Sequence, residues 1–174
     1  LEPSRNTLPT MAAAAGADAP ASGTPRKSVV VVVDCSYSMD CRVSQWAGGT
    51  TGPVSETRMD NARSSLRELF AHHLGEDDEV GMVKFTNRVQ IVFEMTRVGD
   101  ASHHEKLVAQ AMESCVAGGA TALYDGVHSG WKLLESASDS HDRWIVALTD
   151  GGDNSSRCKL DQLTAALRNA GGRP

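Results

Sequence analysis

Val29-Val30-Val31-Val32-Val33-Asp34-Cys35-Ser36-Tyr37-Ser38 runs five β-branched apolar residues straight into a carboxylate and two hydroxyls. A valine run without polar alternation reads as a strand buried on both faces, the pattern of a parallel sheet's interior. In such sheets, ligands bind in the crevice outside the carboxyl ends of the strands, where polar side chains converge without being buried unpaired. Asp34, Ser36 and Ser38 offer oxygen donors only, which suit a hard divalent cation such as magnesium rather than zinc or copper. Taken alone, the stretch equally fits a turn in which Asp and Ser bond local backbone groups.

Two further segments point to the same place. Gly118-Gly119-Ala120-Thr121-Ala122-Leu123-Tyr124-Asp125-Gly126 sets a threonine hydroxyl after a flexible glycine pair and ahead of a helical run. Residues 143–149, with Trp144-Ile145-Val146-Ala147-Leu148, read as a second buried strand, which delivers Asp150 into the turn Gly151-Gly152-Asp153-Asn154. Three separated loops therefore supply oxygen ligands.

This set of segments, in this order, resembles the von Willebrand factor type A domain, whose metal-ion-dependent adhesion site combines DxSxS, a threonine loop and an aspartate after the fourth strand. The resemblance extends from about Arg26 to the end of the chain. It implies Ser36 and Ser38 as direct ligands of Mg²⁺ or Mn²⁺, Asp34 holding the ion mainly through water, and Thr121 moving between direct and water-mediated contact. Asp150 completes the shell, through water or directly. The resemblance also implies that an acidic side chain of a partner protein fills the remaining position. Asp34-Cys35-Ser36-Tyr37-Ser38-Met39 is similar to the corresponding run of integrin β subunits. Those continue with a lysine and two aspartates that hold a second ion, whereas Asp40 here is followed by Cys41 and Arg42, so no second metal is expected. The segments around Thr121 and Asp150 look more like intracellular and bacterial type A domains.

Composition bounds the alternatives. The chain has 174 residues, with 17 Lys and Arg against 22 Asp and Glu and a formal net charge of −5, enough for one domain with a proper core. No basic stripe with interleaved aromatics offers a platform for nucleic acid. No apolar stretch approaches the twenty or so residues that span a bilayer. Residues 1–26, with Pro3, Pro9, Pro20 and Pro25 among Ala, Gly, Ser and Thr, read as a disordered leader, and residues 27–174 as the type A domain. Met11 heads a plausible start, and the alanines after it lack the basic and strongly apolar regions of a secretory signal. Leu160, Leu163, Ala166, Leu167 and Ala170 recur at helical spacing and Gly171-Gly172 stops the run. The type A resemblance implies two more strand and helix units beyond that point, so the domain is expected to be C-terminally truncated.

Between these ends, residues 79–85 and 88–95 read as a β-hairpin separated by Thr86-Asn87, the second strand being a half-solvated, antiparallel edge. Residues 57–73 form an amphipathic helix with Met59, Ala62, Leu66, Leu69 and His73 on one side. Ser102 and Glu105 make a capping box for the helix carrying Leu107 and Ala111. Residues 122–136 form a helix with Leu123, Val127, Trp131 and Leu134 inward. Alternating strands and helices give an α/β, doubly wound, mostly parallel sheet covered on both faces, in the order hairpin strand, 79–85, 28–33, 143–149.

Cys35, Cys41, Cys115 and Cys158 form no CxxC pair, which disfavours zinc and a redox dithiol. Free thiols in a reducing, cytoplasmic setting are expected, with a Cys35–Cys41 loop disulfide in a secreted protein as the alternative. The six histidines read as surface or capping residues. The loop from Met39 to Ser55 is long for an α/β connection. Function follows as a non-catalytic, metal-dependent protein-interaction module that accepts a partner's Asp or Glu carboxylate. No GxSxG elbow, no phosphate loop with lysine, and no His or Lys base stands beside the proposed ion. The competing reading is a metal-assisted hydrolase with Asp153 as base.

Overall fold

The computed structural model describes residues 25–42 and 56–170. Almost all of the leader, most of the loop after Met39, and Gly171-Gly172 lie outside the described residues.

Four strands, β1 (Lys27–Asp34), β2 (Glu79–Phe85), β3 (Val89–Arg97) and β4 (Asp142–Leu148), form one sheet in the order β3-β2-β1-β4. β1 runs parallel to β2 and β4, with Val31 opposite both Met82 and Val146, and β3 pairs antiparallel with β2. This is the expected doubly wound, mostly parallel sheet with an antiparallel edge. The valines of β1 are 3% exposed or less, and their alternation divides them between two cores. Val29, Val31 and Val33 pack with Met59, Leu66, Phe70 and Leu107, which are carried by α1 (Arg58–Glu68), the turn after it, and α2 (Ala101–Ser114). Val30 and Val32 pack with Val83, Phe85, Leu133 and Leu134 under α3 (Leu123–Leu134). α4 (Leu160–Ala170) packs on α3. Each buried valine contributes roughly 1.5–3 kcal/mol of transfer free energy, and since β1 serves both cores, its loss would dissolve both.

α3 departs from the expected face. Its buried residues are Gly126, Gly130, Leu133 and Leu134, while Leu123, Val127 and Trp131 are half-buried flanks. A Cβ at Gly126 would stand 2.6 Å from the Phe85 ring, and one at Gly130 2.6 Å from Val32 Cγ2. Two glycines one turn apart thus let the helix lie directly on the sheet. A search for large apolar residues points at the flanks of such a contact instead of its centre.

The first helix also shifts. Thr57 caps α1 in a reciprocal box with Asp60, but after Glu68 the chain widens into a π-helical turn, Leu69–His73. The extra residue per turn rotates Phe70 into the core and leaves His73 exposed. α2 is capped by Asp100, whose side chain accepts from His103 N at 2.9 Å, not by a Ser102–Glu105 box. Gly99, at φ +71°, turns the chain so that Asp100 arrives first. β4 is not a buried strand. Among the described residues it pairs only with β1, and Trp144 is 56% exposed.

At the amino ends of the strands, polar groups close on one another. Asp78 accepts from Lys27 N at 2.7 Å and Gly75 N at 2.8 Å, with the Lys27 ammonium 3.6 Å away. Beside it, Ser28 Oγ donates to Glu79 Oε2 at 2.7 Å and lies 3.1 Å from His141 Nδ1. His141 is therefore a buried network member, its side chain 7% exposed, and not the surface residue expected. Burial pulls the Glu79 carboxyl upward. The Ser138 N–H, the Ser28 hydroxyl and the charges of His141 and Arg143 outweigh that and hold it below its ordinary value.

Candidate metal centre

β1 ends in Asp34 with no exposed surface. Its Oδ1 accepts from Ser36 N at 2.8 Å and its Oδ2 from the Thr149 hydroxyl at 2.7 Å. The chain continues in a short 3₁₀ turn, Tyr37–Asp40, that lifts Tyr37 into solvent and buries Met39. Ser36 and Ser38 consequently face the same side. Their hydroxyl oxygens are 3.0 Å apart, and Ser38 Oγ donates to Asp150 Oδ1 at 2.8 Å. The other oxygen of Asp150 is held by the Arg58 guanidinium.

The threonine loop is clamped to that turn through backbone. Gly118 N donates to Cys35 O at 2.7 Å, and Tyr37 N donates to Gly119 O at 3.0 Å. Gly119 has φ +80°, and a Cβ there would crowd the Thr86 side chain at 3.1 Å, so glycine is required by both conformation and space. Thr121 is buried, its N–H donating to Asn154 Oδ1 at 2.9 Å and its carbonyl accepting from Asn154 N and Ser155 N. Five residues from three loops thus share one end of the sheet. Hydrogen bonds join Ser36, Ser38 and Asp150 side chain to side chain. Asp34 connects to them through the Ser36 N–H. Thr121 is placed by backbone bonds, and its hydroxyl makes no hydrogen bond among the described residues.

These residues fit a small hard cation on three counts. Asp34 is a fully buried carboxylate with no Lys, Arg or His in ion-pair contact among the described residues, and a buried charge is stable only when compensated. Ser36 Oγ, Ser38 Oγ and Asp150 Oδ1 lie in one hydrogen-bonded row at 2.8–3.0 Å, so oxygen donors of the kind a hard cation takes are gathered on one side of the turn. The side chains of Asp34, Ser36, Ser38, Thr121 and Asp150 offer carboxylate and hydroxyl oxygen only, a set foreign to zinc; among the described residues no three His, Cys, Asp or Glu come together.

Several supporting residues are not evident from the sequence. Thr149 orients Asp34, Asn154 clamps Thr121, and Asp125 accepts from Arg157 N and Cys158 N, tying the loop after β4 to the start of α3. Asp153, the candidate base, is engaged by the Ser156 hydroxyl. Asn154 was visible only as a turn former, since nothing local shows that its side chain reaches 33 residues back.

The four cysteines are free. Cys35 and Cys41 are separated by environment, one buried and one exposed. Cys35 packs instead in the same core cluster as the buried Cys115. Contact with Cys115, with burial, pushes the Cys35 thiol up; the same contact, helped by Ser114 and the charges of Arg63 and Lys84, pulls Cys115 down to about 7.

Residues 29–152 match the family model of the von Willebrand factor type A domain. The chain belongs to that family. In Synechocystis sp., the uncharacterized protein sll0103 is 32% identical over 131 residues, covering 72% of this chain and 29% of that protein. The chain thus spans less than a third of that relative's length. Among solved structures, a von Willebrand factor type A protein from Catenulispora acidiphila superposes with TM-score 0.59 at 21% identity, over 85% of this chain and 31% of the other. The PilB minor pilin from Streptococcus sanguinis gives 0.57 at 23%, over 76% and 31%. The vWF domain of the type V pili tip protein Mfa5 from Porphyromonas gingivalis gives 0.52 at 17%, over 75% and 40%. At these identities the likeness is one of fold. Within the type A domain described here, a cleft of about 380 Å³ opens beside Asp150, lined by Met39, Arg58, Asn61, Leu148 and Thr149 among others. No described helix is long and apolar enough to cross a membrane.

Proposed function

We propose that this type A domain is a protein-interaction module that depends on Mg²⁺ or Mn²⁺ and recognises an Asp or Glu carboxylate of its partner. The observation that carries the reading is the row of Ser36 Oγ, Ser38 Oγ and Asp150 Oδ1 at 2.8–3.0 Å spacing beside the uncompensated, buried Asp34. Ser36, Ser38 and Thr121 would hold the ion through neutral hydroxyls, with Asp34 behind them and Asp150 completing the shell. When bound, the ion supplies a positive centre whose charge the protein only partly neutralises, which is what attracts an anionic oxygen. Asp34 contributes by position: its two hydrogen bonds fix the carboxylate while leaving its charge to be met from above. The cleft beside Asp150 gives a partner's flanking residue a place to lie. The vWF domain of a pili tip protein shares this fold, which accords with a binding role.

A hydrolytic reading would need a base aimed at the ion. Asp153 is turned toward Ser156, and this favours recognition over turnover. Calorimetry tests the proposal: Mg²⁺ or Mn²⁺ should bind at one site, and Asp34→Ala or Ser38→Ala should weaken it at least about tenfold, the loss of one charge-assisted contact. Wild-type affinity in both variants would remove the site.

A further inference from the structure

Resting on the reading that Ser36, Ser38 and Asp150 hold a cation, we propose that Arg58 is a built-in competitor of that ion, its guanidinium holding Asp150 until the metal displaces it. The contact is direct. Arg58 Nη1 donates to Asp150 Oδ2 while Oδ1 accepts from Ser38, so both oxygens of a side chain only 9% exposed are engaged.

Its place in the helix is informative. Arg58 is the first residue of α1, where the helix dipole favours anions and disfavours cations. The guanidinium is therefore held by Asp150 and not by its own helix. Backbone contacts set the reach: Arg58 N donates to Cys41 O at 3.1 Å and Arg42 bridges to Thr57, so the start of α1 is tied to the turn that carries both serines. The side chain is 43% exposed and borders the 380 Å³ cleft, so it can swing away without leaving a charge buried. A guanidinium and a divalent cation on one carboxylate repel each other. Metal uptake is thus an exchange of one positive charge for another, and the apparent affinity falls by the fraction of molecules in which Arg58 holds Asp150.

Titration calorimetry of the full chain with Mn²⁺ and with Mg²⁺ tests this on wild type, Arg58→Ala, Arg58→Lys and Asp150→Ala. Arg58→Ala should bind metal about tenfold more tightly, the worth of one charged hydrogen bond, with Arg58→Lys between it and wild type. Arg58→Gln keeps the length without the charge and repeats the measurement should Arg58→Ala alter the circular dichroism spectrum. Unchanged or weaker affinity in the folded, uncharged variants overturns the competitor and leaves the metal site standing. Binding by Arg58→Ala where wild type shows none supports it in its strongest form. No binding by any variant rejects both.

Discussion

Asp34 and Asp78 are buried carboxylates at opposite ends of the same sheet, and their hydrogen bonding is nearly the same. Asp78 accepts two backbone N–H groups and Asp34 accepts one N–H and one hydroxyl, all within 2.7–2.8 Å. They differ in charge. Asp78 has the Lys27 ammonium 3.6 Å away, while Asp34 has no cation in ion-pair contact among the described residues. A polar cluster closed in both hydrogen bonds and charge is part of the fold. One closed in hydrogen bonds alone is where the proposed cation would sit.

The sharpest way to break this comparison is to substitute both residues with EDTA present. Asp78→Ala should cost about 2–4 kcal/mol, because two N–H donors and an ammonium lose their acceptor. Asp34→Asn should act in the opposite direction, raising stability by about 1 kcal/mol as an uncompensated buried charge is removed, while weakening metal binding. Urea unfolding followed by tryptophan fluorescence measures both. Equal destabilisation by the two substitutions would mean that the ends of the sheet are alike and that Asp34 is structural.

A second test concerns the packing that shapes the upper end. Gly126→Ala places a methyl 2.6 Å from the fully buried Phe85 ring, and overpacking of this kind costs about 1–3 kcal/mol. Phe85 O accepts from Cys35 N at 2.8 Å, so displacing the ring also disturbs the turn between Asp34 and Ser36. Metal affinity should fall together with the melting temperature. Loss of stability with unchanged metal affinity would show that α3 supports the core without setting the site.

How much was legible follows from range. The valine run is diagnostic because a strand buried on both faces needs no partner to be recognised, and the strand order found is the one expected. DxSxS, the threonine loop and Asp150 could be read as loop chemistry at strand ends. Three features were hidden because each depends on a side chain meeting something distant. Gly126 and Gly130 look like weak helix positions until the sheet is seen beneath them. The Cys35–Cys115 contact spans 80 positions, and neither residue lies in a motif. Arg58 sits in no pattern at all, and only the fold brings it to Asp150.

The smallest expected effect is a change of slope at the closed end. Glu79 is held below its ordinary value in the folded chain. A carboxyl depressed on folding contributes stability that is fully present above its unfolded value near 4.5 and is lost as pH falls through the lower folded value, because the unfolded chain then binds the proton first. Glu79→Gln removes that proton site but keeps an acceptor for the Ser28 hydroxyl and the Ser138 N–H. The variant should therefore be less stable than wild type at neutral pH, and the gap should close as pH drops below 4.5. Only the difference between the wild-type and variant curves belongs to Glu79. Urea midpoints at half-unit pH steps, with EDTA present to silence the upper end, give that difference curve. A gap that stays constant through pH 3 would show that Glu79 acts by shape and hydrogen bonding alone, and that charge plays no part in closing the lower network.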